Sequence, residues 1–434
     1  MSYAETVLFI TNILMSLIGV LTLHFLIFAV VGLFGKKTFK KTNEKLKYGI
    51  IVPARNEETV IGGIIESIKK NNNPQENLKI FVVSHNSTDN TAKTARAAGA
   101  IVYEYNNPAE NTMGYAFRHL FSCIERDYGF ESFDGFFIFN ADNILDKDYI
   151  SYMNDAFCHY GKKSVITSFR NSKNFGSNLI SGLYGMYFTV GCRLESRGRT
   201  LLGCSTRVQG TGYLIPPEIL EDGWKYVTLA EDWEFSADRI LLDNTIKYCD
   251  DAVFYDEQPT TLKIMWRQRL RWSRGHLIVF ITRIKDLIKS LFTKGKHKFS
   301  KYDISVNCMP IPLMIIFVYL LQIILLLIAP LFDKDASLRQ IFLLKGGLTF
   351  VWLKSFIATI ITFMISAVII FAVERRRIKN VSLINKALIT LLWPFFVLVQ
   401  VFIDAQALFS KNLMWKPIPH SDTTSFEQIN HKKK

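Results

Sequence analysis

The sequence predicts an α/β protein: a doubly wound, mostly parallel sheet set between α-helical transmembrane and interfacial segments. Three observations predict it. Strand, polar loop and helix follow one another twice in the central region, a further buried strand ends in a polar turn, and long apolar runs are confined to the two ends of the chain. Alternating strands and helices build parallel sheets. With 434 residues, 49% of them hydrophobic, the chain has room for one sizeable domain and several membrane spans.

Residues 8–34 are nearly free of charge and are closed by Gly35-Lys36-Lys37, long enough for the roughly 30 Å hydrocarbon core of a bilayer. No basic stretch precedes them, so they read as a span and not as a cleaved signal. Three further spans are expected at 309–332, 347–373 and 387 to about 403. The resulting plan is a transmembrane helix at 1–36, a cytosolic domain with interfacial helices at 37–300, C-terminal transmembrane helices at 301–410 and a basic tail at 411–434.

Orientation follows the lysines and arginines beside the spans. Lys36, Lys37, Lys40, Lys41, Lys45 and Lys47 follow the first span, and Arg375, Arg376, Arg377 and Lys379 separate the third from the fourth. Both segments, and the central domain, are expected in the cytoplasm, and the loop with Asp333 and Asp335 outside. Four spans also put the tail outside, at odds with its three terminal lysines unless Trp393-Pro394 makes the last segment re-entrant. Basic residues at membrane edges account for much of the net charge of +14, and no nucleic-acid module is present, which excludes nucleic acid as a partner. Six scattered cysteines without a C-x-x-C pair suggest neither a zinc site nor a disulfide framework.

Within the domain, residues 48–53 form an isoleucine- and valine-rich strand, followed by Ala54-Arg55-Asn56-Glu57-Glu58 and a helical pattern from Thr59. The order repeats with a strand at 78–83, a polar turn through His85-Asn86-Ser87-Thr88-Asp89-Asn90 and a helix to Ala98. Residues 101–105 and 136–139 are further strands, the latter ending in Asn140-Ala141-Asp142-Asn143. In such sheets ligands bind beyond the carboxyl ends of the strands. Asp142 at such a tip is placed either to hold a divalent metal against phosphate oxygens or simply to make an Asx turn. Val208-Gln209-Gly210-Thr211-Gly212-Tyr213 is a glycine-punctuated loop, read as a close approach to a ligand or as a tight turn before a strand. Ala230-Glu231-Asp232-Trp233 opens a helix, in which Asp232 is either a cap or a base that takes a proton from a hydroxyl. His24 and His276 read as structural.

Gln268-Arg269-Leu270-Arg271-Trp272 gathers an amide, two fixed positive charges and an indole face where the domain meets the membrane. Guanidinium forks match phosphate oxygens. An indole face stacks on the apolar side of a pyranose, or else anchors a basic interfacial helix at headgroup depth.

In this order, the strand-tip aspartate, glycine loop, Glu-Asp pair and Gln-x-x-Arg-Trp run resemble the membrane-bound glycosyltransferase family 2, the group of bacterial cellulose, hyaluronan and poly-N-acetylglucosamine synthases. The resemblance covers residues 48–276 and, more loosely, the flanking spans. It implies a GT-A fold, inverting transfer from a nucleotide sugar, and Mg2+ or Mn2+ as cofactor. Asp142 then matches the second aspartate of Asp-x-Asp, which holds metal and diphosphate, and Asp232 matches the general base, with Glu231 beside it at the acceptor. Gln268 and Arg271 match the diphosphate clamp, and Trp272, Gly210, Thr211 and Gly212 the acceptor side. The sequence departs from the pattern at Asn140 in place of the first aspartate, at His85 where an aspartate reads the base, at Met113 in place of a lysine, and at Ala230 in place of threonine.

The expected activity is extension of a β-linked polysaccharide from a UDP-linked hexose or N-acetylhexosamine, with Trp272 and an interfacial helix over 174–190 at the entrance for the product. The alternative is transfer of one sugar to a membrane lipid, which the same motifs serve; a non-enzymatic scaffold is the third class. Expected partners are the donor, a polysaccharide or lipid acceptor, membrane lipids, and a homo-oligomer or accessory secretion protein. The expected location is the cell membrane, multi-pass, with the catalytic domain in the cytoplasm.

Overall fold

The computed structural model describes residues 1–332, 337–342, 347–379, 381–410 and 417–430. The expected outer loop with Asp333 and Asp335, and residues 411–416 and 431–434 of the basic tail, lie outside the described residues. The strands are β1 (Tyr48–Ala54), β2 (Leu78–His85), β3 (Ile101–Tyr105), β4 (Gly135–Ile138), β5 (Ile144–Leu145), β6 (Val165–Ser172), β7 (Tyr213–Ile215) and β8 (Ile246–Asp256). They form one sheet in the order β3-β2-β1-β4-β7-β6-β8-β5.

β1, β2, β3 and β4 are mutually parallel, as expected. The other half is mixed: β6 and β8 are parallel, whereas β7 runs antiparallel to both β4 and β6, and β5 antiparallel to β8. The reversal has a simple cause. The chain leaves β6 for a helical excursion and returns through the glycine loop at the carboxyl end of the sheet, where the Gly212 amide donates to the Ile138 carbonyl (2.9 Å). The next strand therefore runs backwards, and the loop lands beside the β4 tip.

The helices, in chain order, are α1 (Tyr3–Phe34), α2 (Ile61–Lys69), α3 (Thr91–Ala97), α4 (Met113–Tyr128), α5 (Tyr149–His159), α6 (Leu179–Val190), α7 (Arg197–Leu201), α8 (Glu231–Leu241), α9 (Leu262–Phe292), α10 (Lys298–Cys308), α11 (Ile311–Leu327), α12 (Ala329–Phe332), α13 (Leu338–Phe342), α14 (Leu348–Val373), α15 (Leu383–Phe409) and α16 (Phe426–Asn430). Side chains alternate across a strand, so β1 feeds both faces. Ile50 and Val52 pack with Ile61, Ile64 and Met153 of α2 and α5. Ile51 packs on the other face with Phe117, Leu120 and Phe121 of α4.

Among the described residues three helices, α1, α14 and α15, are long and apolar enough to cross a membrane, or four spans if α10 and α11, bent by 58° at their junction, count as one. The expected interfacial helix over 174–190 begins only at Leu179, and its inner face is buried against α9, α14 and α15. The expected break at Trp393-Pro394 is absent: α15 continues through Pro394. It lies along α6 and α9, with Trp266 Nε1 donating to Gln406 (2.7 Å) and Arg269 donating to Gln400 Oε1 and to the Phe396 carbonyl (2.8 Å each). Before α15, Arg377 donates to Asp250 of the domain; after it, the Pro417 carbonyl accepts from Arg267. The described tail, 417–430, rests on the domain, where the Lys147 amide donates to Asn430 Oδ1 (3.0 Å). The described tail, which a count of four spans sets outside, thus touches the domain at Arg267 and Lys147.

Asp250 ties these layers together. Its carboxylate, 3% exposed, accepts from Arg197 after the interfacial helices and from Arg377 after α14. Arg193 donates to Glu374 in the same cluster (2.7 Å). Removing one partner of a buried ion pair strands the others without water, so Asp250→Ala is expected to cost about 3–5 kcal/mol in denaturant unfolding of the detergent-solubilised protein. Gly212 has φ +68°, and a Cβ there would lie 2.0 Å from Phe254 Cε1. Gly212→Ala is expected to lower stability by about 1–3 kcal/mol, visible as a lower Tm.

Candidate active site

The four-residue turn beyond β4 is built by its own polar side chains. The Asn140 amide donates to Thr211 Oγ1 (2.9 Å) and to Asn143 Oδ1 (3.1 Å), and the Thr211 hydroxyl donates to Asn143 Oδ1 (2.5 Å). Thr211 therefore pins the glycine loop to the strand tip, and Asn143 makes the turn. Asp142 is left to face inward, 4% exposed, accepting from the Glu257 amide (2.8 Å) and from Asn143 Nδ2 (3.1 Å). The turn is thus closed by Asn143, and the Asp142 carboxylate is left at the cavity wall.

Beyond the strand tips is a cavity of about 150 Å3. Asp142, Asn140, His85, Gln268 and Arg271 all line it, as does Met113. The sequence reading did not anticipate Arg55 and Glu57 after β1, Arg170 on β6, Asp256 and Glu257 at the end of β8, Arg267 on α9, or Ile418 and His420 from the tail. Glu57 had a signal, since it lies in the polar loop after the first strand. Asp256 had one too: an apolar run through Phe254 ends in Asp256-Glu257-Gln258, another acidic strand tip. Arg170 sits inside an ordinary strand, and nothing around His420 marks it.

The charges in this cavity are paired. Arg170 Nε donates to Asp256 Oδ2 (2.6 Å), while Gln258 Nε2 donates to Oδ1 (2.5 Å). Burial and the neighbouring Asp142 still push the Asp256 carboxyl up, against the pull of Arg170. His85 Nε2 donates to the Glu110 carbonyl (2.7 Å), and burial lowers the pKa of the ring. His420 behaves in the opposite way. Burial works against its charged form, but Asp142, Glu57 and Glu257 outweigh burial and hold its pKa up at about 9.

Glu231 and Asp232 occupy the first turn of α8, where the helix dipole favours negative charge. Asp232 is thus inside the helix; Ala230 holds the cap position. Burial pushes both carboxyls up, and the proximity of Asp232 raises Glu231 further; Arg271 pulls both down. The Arg271 Nη1 donates to the Leu229 carbonyl (2.8 Å), which fixes the guanidinium between the carboxylate pair and the cavity. A Cβ at Gly210 (φ +78°) would lie 3.6 Å from Asp232 Oδ2, so the glycine loop and the carboxylate border the same space.

On α9, residues 267, 268 and 271 share a face at 3.6 residues per turn and 269 falls on the other. Arg267, Gln268 and Arg271 line the cavity, whereas Arg269 is buried on α15. Of the two arginines in the Gln-Arg-Leu-Arg-Trp run, Arg271 lines the cavity and Arg269 does not; Arg55, Arg170 and Arg267 bring further positive charge to its wall. Trp272 is not in the cavity wall. It sits half-buried, edge-on to Tyr184 and Phe188 of α6 with centroids 6.2 and 6.1 Å apart. Arg170 connects the two places, its guanidinium 3.6 Å from the Phe188 ring centroid.

A divalent cation fits the strand tip. Asn140 Oδ1 is buried with no hydrogen-bond partner, beside the Asp142 carboxylate in the cavity wall. Gln268 Oε1 is a second buried acceptor without a partner. Oxygen donors suit Mg2+ and Mn2+. Among the described residues no group of three or more His, Cys, Asp or Glu could cage a metal, which suits an ion that takes its remaining ligands from phosphate and water.

Glycosyltransferase-like family 2 matches residues 46–275. A probable glycosyltransferase, YdaM, of Bacillus subtilis is 24% identical over 63% of this chain and 68% of its own length. A poly-beta-1,6-N-acetyl-D-glucosamine synthase of Staphylococcus epidermidis is 23% identical over 59% of this chain and 61% of its own. This chain thus spans about two thirds or less of these relatives' lengths. Among solved structures, the mannosyltransferase PcManGT from Pyrobaculum calidifontis, in complex with GDP-Man and Mn2+, is 14% identical, with a TM-score of 0.59 over 94% of this chain and 100% of that one. The likeness extends to the fold, which is of the GT-A kind, and the match over more than half of the chain gives the assignment: the chain belongs to glycosyltransferase family 2.

Proposed function

We propose that the protein is an inverting transferase that moves a sugar from a nucleotide donor onto a growing β-linked polysaccharide at the cytoplasmic face of a membrane. One observation carries the reading: Asp142, Gln268 and Arg271, distant in sequence, line one cavity, and Asp232 lies beside Arg271 at the glycine loop. A diphosphate extending from the β4 tip toward α9 would meet Gln268, Arg271 and Arg170. The sugar would then lie toward Asp232.

The Asp232 carboxylate takes the proton of the acceptor hydroxyl as its oxygen bonds to the anomeric carbon. The bond from that carbon to the diphosphate oxygen breaks on the opposite face, and its electron pair leaves with the diphosphate. Arg271, already fixed by Leu229, meets the growing charge without reorganising. Direct displacement turns an α-linked donor into a β-linked product. Asp142 and Asn140 would hold Mg2+ or Mn2+, which would neutralise the leaving diphosphate as a Lewis acid. Gly210 and Gly212 bring backbone close to the acceptor, while the Thr211 hydroxyl is used in the turn. Trp272, half-buried with Tyr184 and Phe188 packed behind it, offers the aromatic face on the acceptor side, suited to the apolar face of a sugar ring. His85 stands on the base side; a uridine nucleotide is the expected donor.

The relatives that make poly-N-acetylglucosamine support a polymer product. A second reading, transfer of one sugar to a membrane lipid, is favoured by the three or four candidate spans, a thin wall for a polymer channel unless an oligomer or accessory secretion protein completes it. A panel of nucleotide sugars with Mn2+ separates the readings: long glycosidase-sensitive product supports the synthase, an organic-soluble single glycoside the lipid enzyme. No diphosphate release from any donor would overturn both. Asp232→Asn is expected to lower turnover about 10²–10⁴-fold with donor affinity nearly unchanged in calorimetry; wild-type turnover would remove its role as base. Because burial raises the Asp232 pKa, turnover should rise with pH through a value above the ordinary aspartate range and level off there, read from the pH profile of kcat. Trp272→Ala should raise KM for the acceptor more than Kd for the donor, and the reverse would place the indole at the lipid interface.

A further inference from the structure

The tail lies beyond the family match, which ends at residue 275, and returns after the apolar helices to the cavity. His420 Nδ1 lies 2.9 Å from both Glu57 oxygens, and Ile418 forms part of the cavity wall. The Ser421 and Asp422 amides donate to the Glu257 carboxylate (3.0 and 2.9 Å). The Glu257 amide in turn donates to Asp142, so a single residue joins the tail to the strand-tip aspartate. Lys173 Nζ donates to the Asp422 carbonyl (2.9 Å), and Lys70 pairs with Glu427 further along. These contacts come from four separate parts of the domain. They fix one short segment across the open end of the cavity.

The cavity wall gives the segment a task. Glu57, Asp142, Asp256 and Glu257 line the cavity together with Arg55, Arg170, Arg267 and Arg271. Arg170 is already engaged with Asp256 and with the Gln209 carbonyl, and Arg267 with the Pro417 carbonyl. The tail adds one more nitrogen donor, on the ring that Glu57 holds. Resting on the nucleotide-sugar reading above, we propose that residues 417–430 are a strap over the donor site and that His420 is a donor-binding residue, whose imidazole N–H bonds the diphosphate while Ile418 covers the nucleotide. Glu57 orients the ring, and Glu257 carries the coupling between strap and Asp142. Donor binding and strap docking therefore reinforce each other.

Calorimetry with UDP and with GDP, each with Mn2+, on the full detergent-solubilised chain tests this. His420→Ala should weaken the nucleotide that wild type binds about tenfold or more, as expected for one charge-assisted hydrogen bond, and His420→Gln, which keeps a donor, should recover part of the loss. Amide exchange in 417–430 of the wild-type protein should slow when that nucleotide binds, a readout that needs no variant. Equal binding by His420→Ala with unchanged exchange overturns the inference alone, as does tighter binding, which would make the tail a plug. Wild-type protein that binds neither nucleotide and releases no diphosphate overturns the donor-site reading together with it.

Discussion

Charge held away from water is the constraint from which the rest of the architecture follows. Glu231, Asp232 and Arg271 sit together beside a cavity that also holds Asp142, Asp256 and Arg170. An unpaired ion in such a place is costly, so each must meet a partner at fixed distance. The fold supplies those partners from the tips of β4 and β8, the start of α8 and the interiors of β6 and α9. The same lack of solvent that makes the groups expensive to bury makes them effective on a developing charge.

α9 links this constraint to the membrane side. One face presents Arg267, Gln268 and Arg271 to the cavity, and the opposite face sends Arg269 into α15. The helix is therefore a shared wall between the chemical site and the apolar helices, and Trp272 lies between the two on the aromatic cluster with Tyr184 and Phe188. The Asp250 cluster, which joins the interfacial helices to the segment after α14, braces the other side of the domain.

Much of the domain was legible in the sequence because its signals are local. The strands at 48–53, 78–83 and 101–105 announce themselves by β-branched runs closed by polar loops, and the structure keeps them within a few residues. Asp142 and Asp232 stood out in the sequence because each lies at the end of a short element, beside a turn or helix start. The mixed half of the sheet was not legible, since the direction of a three-residue strand such as β7 depends on where the preceding helices set the chain down. Arg170 escaped notice for a related reason: it is an ordinary strand residue until β6 is paired with β8. Arg269 and Arg271, two apart in sequence, part company because adjacency in sequence is not adjacency on a helix face.

The sequence by itself determined the local chemistry: which carboxylates, guanidiniums and glycines are available, which segments form strands or long apolar helices, and the family the chain belongs to. Those properties come from neighbours within a few residues, and hydrophobic period and turn chemistry encode them directly. Tertiary structure alone decided that Arg271 rather than Arg269 faces the cavity, that Thr211 serves the turn, and that His420, beyond every apolar helix, reaches Glu57. Such pairings depend on how α9 packs and on where α15 returns the chain. Those are long-range consequences of burying one apolar face against another, and no short stretch of residues records them.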